Sequence, residues 1–311
     1  MIRAIKLFTK RLPFPVFLRM FYLFYFSSRL PKLSRAARHY QIHPFSELDL
    51  CSLKRSETLF ILGNGPSINQ ISAARWRAIE SRDTIASNFW LYHPFVPNLY
   101  FFELIDPRAA PDIYAELVRL ANSRASRYRS VVKIVTELHR ERLSMLEVLS
   151  PEWRENIYTF KPVPLAARNE GEFAYALRYL KKKGVFQAAQ GTQYLFKYGL
   201  TLTALLALAV RMQYRQIVLC GTDLRTSAYF YDDRNLYPDV MLPRRTSSGA
   251  FFTLTDIPWM VKIDSVMRVI KKELLDPAGI ELYVENRSSA LWPEIPEAPE
   301  SLFTSDGILS S

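Results

Sequence analysis

Short apolar runs alternate along this chain with longer amphipathic stretches, and turn residues separate them. Thr58 to Leu62 reads as a buried strand, and Gly63-Asn64-Gly65-Pro66-Ser67 follows at once. Ile68 to Ser81 then predicts a helix. Thr84 to Ala86 is a second short strand ending at Ser87-Asn88, and Leu99 to Leu104 is a third, ending in Ile105-Asp106-Pro107. Strand, helix and strand in this rhythm predict a parallel sheet with crossover helices. Further along, Asp112 to Asn122 predicts a helix, Val131 to Val135 a strand, and Glu170 to Lys183 a helix closing on a basic run. Leu200 to Arg211 is a strongly apolar helix, too short for a membrane span and suited to a core. Gln216 to Cys220 is a strand stopped by Gly221-Thr222-Asp223. An irregular stretch follows, then a helix from Ile257 to Leu275 and a last strand from Ile280 to Val284. The chain from Pro293 is Pro-rich and predicted to fray. The expected fold is α/β, a Rossmann-like parallel sheet with flanking helices, preceded by a basic amphipathic N-terminal segment.

That segment sets the domain organisation. The first 40 residues contain no Asp or Glu. The stretch from Phe14 to Phe26 is bulky and apolar, but short, and it contains Arg19. No small-residue cleavage site follows it. Basic residues resume instead at Arg29, Lys32, Arg35 and Arg38. An apolar face and flanking cations are what an interfacial segment needs at an anionic membrane. Residues 1–45 are therefore expected to associate with a membrane, the alternative being a helix packed on the domain with its charges solvated. Residues 46–295 are expected to form the Rossmann-like main domain, with a loop or lid at 225–256, and 296–311 a flexible tail. The formal net charge of +11 asks for an anionic partner. No nucleic-acid-binding module accompanies it, so nucleic acid is not the expected partner. Cys51 and Cys220 stand apart, with no Cys/His cluster for zinc.

Candidate chemistry gathers at strand ends. Gly63 and Gly65 would let backbone approach a phosphate, with Asn64 and Ser67 adding hydrogen bonds and Pro66 opening the following helix. The turn is neither G-x-G-x-x-G nor a P-loop with its lysine. Asn64, Asn88, Asp106, Thr222 and Asp223 all fall at predicted C-terminal strand ends, where open parallel sheets bind ligands. Each alone is also a common turn former. Arg225, Tyr229, Tyr231, Asp232 and Asp233 follow the fourth of these strands. Arginine and tyrosine hydroxyls can stabilise a departing phosphate. The adjacent pair Asp232-Asp233 lacks the spacing of a metal-binding D-x-D, and no metal or other cofactor is expected. His93 lies five residues after Asn88, near the presumed cleft, as a candidate base or as a structural side chain.

With these pieces assembled, the chain resembles the sialyltransferases of glycosyltransferase family 42. The resemblance rests on LFILGNGPSINQI at 59–71, the strand ending in Asn88, the apolar helix leading into YRQIVLCGTDL at 214–224, and GIELYVENRSSAL at 279–291, in that order. It covers roughly residues 57 to 295, with the middle only loosely similar. It implies a modified Rossmann fold of the GT-A class, metal-independent inverting transfer, and a CMP-activated sialic acid donor. By position, Asn64, Gly65 and Ser67 would hold the donor's phosphate and ribose. Asn88 would contact phosphate or sugar, and Thr201 and Gly221 would lie by the cytidine. Asp223 would shape that pocket, and Tyr229 would bind phosphate. Arg225 stands where the family has one of its paired tyrosines. The family's catalytic histidine would fall near Phe251, where this chain has none, leaving Asp256, Asp232, Asp233 and His93 as candidate bases. The expected activity is transfer of an ulosonic acid, sialic acid or Kdo, from its CMP form to a lipopolysaccharide, lipooligosaccharide or capsule glycan. The enzyme would sit peripherally on the cytoplasmic face of the inner membrane. The alternatives are a Rossmann-type phosphotransferase or pyrophosphokinase-like enzyme, and a non-catalytic nucleotide-binding protein.

Overall fold

Eight parallel strands form one sheet in the computed structural model, which describes residues 13–28, 37–136, 142–165, 167–187, 193–226, 228–243 and 261–304. The strands are β1 (His43–Pro44), β2 (Thr58–Leu62), β3 (Asp83–Ser87), β4 (Leu99–Phe102), β5 (Val132–Val135), β6 (Ile157–Thr159), β9 (Gln216–Cys220) and β10 (Glu281–Val284). A separate parallel pair, β7 (Lys161–Val163) and β8 (Tyr194–Phe196), lies beside it. The sheet order is β1-β6-β5-β4-β3-β2-β9-β10. The chain steps outward from β2 to β6, then returns to add β9 and β10 on the other side of β2. The order therefore reverses between β2 and β9, the switch point at which such sheets open a crevice.

Both faces of the sheet are covered, so its strands are apolar throughout rather than alternating. Leu59, Ile61, Ile85, Phe101, Ile134 and Ile217 point to one face. There they meet α1 (Phe14–Ser28), α4 (Glu170–Lys182), α5 (Thr201–Arg211) and α6 (Ile263–Ile270). Phe60, Leu62, Ala86, Tyr100, Phe102 and Val135 point to the other, against α2 (Ala73–Glu80) and α3 (Pro111–Ser123). Helix α5 is buried from Leu202 to Arg211, as its apolar composition predicts. Each of its leucines contributes about 1.5–3 kcal/mol by leaving water.

The structure departs from the sequence expectations at several places. The helix predicted over 68–81 is broken. Pro66–Gln70 is a 3-10 turn, Ile71 is extended, and α2 begins only after Ser72. Ser72 Oγ accepts from Arg75 N at 3.3 Å, the side-chain cap that serine favours. Four short strands, β1, β6, β7 and β8, were not predicted. The chain from Pro293 does not fray as far as it is described. Ala298, Leu302 and Phe303 are buried, and Ala298 N donates to Val284 O at 2.8 Å. Helix α1 packs on the protein, with Leu18 and Tyr22 fully buried. No described helix is long and apolar enough to cross a membrane. Asp256, the position of Phe251, residues 244–256 of the expected lid and residues 305–311 of the tail lie outside the described residues.

Candidate active site

The glycine turn after β2 meets the turn after β9 at the switch point, and the two are knotted together. Gly63 N donates to Cys220 O at 2.7 Å and Gly65 N to Gly221 O at 2.8 Å. Asp223 is buried and accepts from Ser67 N at 3.0 Å and from Ser67 Oγ at 2.6 Å. A side chain at Gly63 would sit 2.5 Å from Gly221 O, and one at Gly65 would sit 2.7 Å from the same oxygen. Gly221 also needs its freedom of conformation, with φ of 62°. Thr222 O accepts from Ser289 Oγ at 2.6 Å and Asp223 O from Ala290 N at 2.8 Å, which ties in the turn after β10.

This corrects the phosphate-cradle expectation for the Gly63–Ser67 turn; Gly221, Thr222 and Asp223, expected as ligand contacts at a strand end, form the other half of the same corner. The N–H groups of Gly63, Gly65 and Ser67 donate within the protein, Pro66 has none, and a carboxylate faces the turn. The glycines are there for the close approach of two strand ends.

The described cleft opens one step along, over the carboxyl ends of β2, β3 and β4. Asn64, Asn88 and Glu103 lie just beyond those three strands and line a half-open cavity of about 230 Å³. Phe89, Tyr229 and Tyr231 complete its aromatic side. Tyr229 and Tyr231 stack at 5.1 Å, and Phe89 tilts against Tyr231 at 5.9 Å. Phe230 N donates to Asn64 O at 2.9 Å, which fixes the aromatic segment over the β2 end.

The polar side chains here are set in particular orientations. Asn64 Nδ2 donates to Ser87 O at 3.3 Å, while its Oδ1 is buried with no hydrogen-bond partner among the described residues. A buried acceptor without a partner carries a desolvation cost of about 1–3 kcal/mol, which a donor on a ligand would relieve. Asn88 has φ of 50°, a left-handed conformation that asparagine tolerates better than most residues. Its Oδ1 accepts from Glu103 N at 3.3 Å, and its carbonyl accepts from the Tyr100 hydroxyl. Glu103 Oε1 accepts from Lys197 Nζ and from Thr201 Oγ1, each at 3.0 Å. A carboxylate, an amide acceptor and an aromatic wall thus face one space. Such a set can bind a ring with hydroxyls, stack its apolar side and take a proton from one of its partners.

The other sequence candidates fall elsewhere. His93 stacks on Trp90 at 4.5 Å and Trp76 at 4.9 Å, and its Nδ1 accepts from Phe95 N at 3.1 Å. Burial, with a smaller contribution from the Arg124 charge, lowers its pKa to about 4. It is a neutral packing residue outside the cavity. Asp106 Oδ1 accepts from Arg108 N at 3.0 Å and shapes the loop before α3. Asp232 Oδ2 accepts from Tyr229 N at 2.7 Å, and Asp233 Oδ1 from Asn235 N at 3.1 Å, so both hold local turns. Arg225 is exposed and does not line the cavity. Thr201 reaches the site through Glu103. Asn64, Asn88, Tyr229 and Tyr231 are the predicted residues that the structure brings together. Glu103 and Lys197 were missed.

Among the described residues, no group of three or more His, Cys, Asp or Glu could hold a metal ion. No protein-family model matches the chain, and no curated protein matches it either.

Proposed function

We propose that this protein is a glycosyltransferase that moves an ulosonic acid, sialic acid or Kdo, from a CMP-activated donor to a lipopolysaccharide, lipooligosaccharide or capsule glycan. One observation carries the reading: Asn64, Asn88 and Glu103 converge from three successive strand ends on one cavity walled by Tyr229 and Tyr231. The cavity is smaller than the ~300–1,000 Å³ usual for small-molecule sites. Its described walls thus hold part of the donor, the sugar ring with its leaving phosphate. The glycine corner shapes the neighbouring wall and leaves the phosphate to the Tyr229 hydroxyl, while Asn64 Oδ1 accepts from a hydroxyl of the sugar.

Glu103 takes the place of the absent histidine. The acceptor hydroxyl oxygen attacks the anomeric carbon and its proton passes to Glu103. The bond from that carbon to the phosphate oxygen breaks, and CMP leaves with the electron pair. Lys197 and Thr201 hold the carboxylate in position. The basic N-terminal segment keeps the enzyme peripherally on the cytoplasmic face of the inner membrane, where a lipid-linked acceptor lies.

The test is CMP release and sugar transfer with CMP-sialic acid and CMP-Kdo, alongside a thermal-shift panel of CMP, UDP, GDP and ATP. CMP should raise the melting temperature most. Glu103→Gln should lower the transfer rate at least about hundredfold while the CMP shift remains. No turnover with either donor together with no CMP shift would sink the proposal; an ATP preference would favour the phosphotransferase reading. A second reading, nucleotide binding without turnover, is favoured by the engagement of Glu103 by Lys197 and Thr201. A CMP shift with no CMP release from either donor would select it.

A further inference from the structure

Helix α1 is apolar on two opposite sides, and the described residues cover only one of them. Leu18, Tyr22 and Tyr25 face inward, where Tyr22 Oη donates to Pro164 O at 2.9 Å and the Tyr25 hydroxyl donates to Pro162 O. Lys161 Nζ donates to Tyr25 O at 3.3 Å. The helix is therefore anchored in place. Val16, Met20 and Leu23, spaced along one side, are nonetheless 44%, 60% and 76% exposed. Beside them runs a groove of about 1180 Å³ between α1, α4 and β8. Leu23 belongs both to the exposed stripe and to the groove wall. The groove's interior is aromatic: Tyr22 stacks on Tyr179 at 5.8 Å, and Phe26 meets Tyr194 edge-on at 4.7 Å. Among the described residues its lining also carries Arg19, Arg178, Lys182 and Lys183 and no Asp or Glu. Arg178 is taken up by Glu273 at 2.6 Å.

We infer that this groove receives one anionic phospholipid from the membrane surface, with an acyl chain between the aromatic walls and the phosphate on Arg19, Lys182 and Lys183. The inference rests on the membrane part of the proposed function and names the site that performs it. An apolar trough continuous with an exposed apolar stripe suits a chain drawn from a bilayer. Cations at its edge without nearby carboxylates in the lining suit a phosphate rather than a neutral headgroup. The lysines of the basic run that closes α4 become part of a binding surface.

The experiment uses the full chain and vesicles of phosphatidylcholine, with and without phosphatidylglycerol. Flotation should require phosphatidylglycerol. The double variant Lys182→Glu/Lys183→Glu should weaken binding at least about tenfold. Met20→Glu/Leu23→Glu, at exposed positions that the fold does not need, should weaken it comparably. A phosphatidylglycerol with a photoreactive acyl chain should label α1 and α4, and inorganic phosphate should not compete. Wild-type binding by both variants, labelling confined to other surfaces, or full competition by inorganic phosphate overturns the groove while the membrane reading stands. No binding to anionic vesicles at all removes both. Circular dichroism of each variant excludes misfolding as the cause.

Discussion

At Gly65 the backbone φ is −69°, so any residue could adopt its conformation. What excludes a side chain is space. An added Cβ would meet Gly221 O at 2.7 Å and press on the Asp223 carboxylate that holds Ser67. Backbone oxygen cannot swing aside, so the two turns would have to part. Gly65→Ala should therefore destabilise the protein by about 1–3 kcal/mol, read as a lower urea midpoint. Gly171 in α4 supplies the comparison. Its nearest neighbour to an added Cβ is Asn169 Oδ1 at 3.5 Å, an ordinary contact. Gly171→Ala should be neutral or stabilising by up to about 1 kcal/mol. Equal midpoints for the two variants would contradict the packing account of the Gly-Asn-Gly turn.

At the scale of elements, β5 carries an unusual residue for a strand buried on both faces. Lys133 is fully buried, and its Nζ donates to Tyr128 O at 2.7 Å and Val131 O at 2.9 Å. Burial lowers its pKa to about 7, against a smaller opposing pull from Glu155. An unfolded lysine titrates near 10.4, so between about pH 7 and pH 10 the unfolded chain binds the extra proton. Folding stability should rise with pH across that window by up to about 1.4 kcal/mol per unit from this group. Urea midpoints from about pH 7 to pH 9 should show the rise, and Lys133→Met should flatten it. An unchanged slope in the variant would mean that the lysine stays charged.

The same elements show what could be read beforehand. Strands β2 and β9 stand where the apolar runs at 58–62 and 216–220 put them, because a fully buried strand bounded by a glycine turn leaves an unmistakable trace. His43-Pro44 and Lys161-Pro162-Val163 leave none: they are short and contain proline, which pattern reasoning assigns to loops. Glu103 escaped for a related reason. The third apolar run predicts a strand to Leu104, with Glu103 inside it; the strand ends at Phe102, so Glu103 is the first residue past the end. Its partner Thr201 lies 98 residues away, and only the folded sheet puts them together. Tyr229 and Tyr231 of the aromatic wall were legible in the sequence, but not Phe89 or the closure of the glycine corner. That closure depends on Asp223 turning back onto Ser67 across the switch point.

For the whole molecule, the C-terminal stretch acts as a strap across the second face of the sheet. Val284 N donates to Pro296 O at 2.9 Å, so residues 296–298 run beside β10 and cover that edge. Arg75 of α2 bonds Glu285 Oε1 at 2.6 Å and also reaches Glu300, while its guanidinium lies 4.4 Å over the Phe303 ring. Arg82 donates to Leu302 O, and Phe303 packs on Phe60 of β2 at 5.8 Å. The strap thus joins β2 and α2 to β10, which lies far from both in sequence. Burial of Leu302 and Phe303 together contributes about 3–6 kcal/mol, a large part of a domain's net stability. A chain ending at Glu297 should lose stability on that scale, with a melting temperature lower by roughly 5–15 °C. The full chain carrying Leu302→Ala and Phe303→Ala should lose a comparable amount, because the apolar contacts outweigh the exposed Glu300 pair. If the double variant melts with the wild type while the truncated chain does not, the Ala298 backbone bond to Val284 and the contacts of Arg75 with Glu300 and of Arg82 with Leu302 O hold the strap, and the packing on Phe60 is incidental.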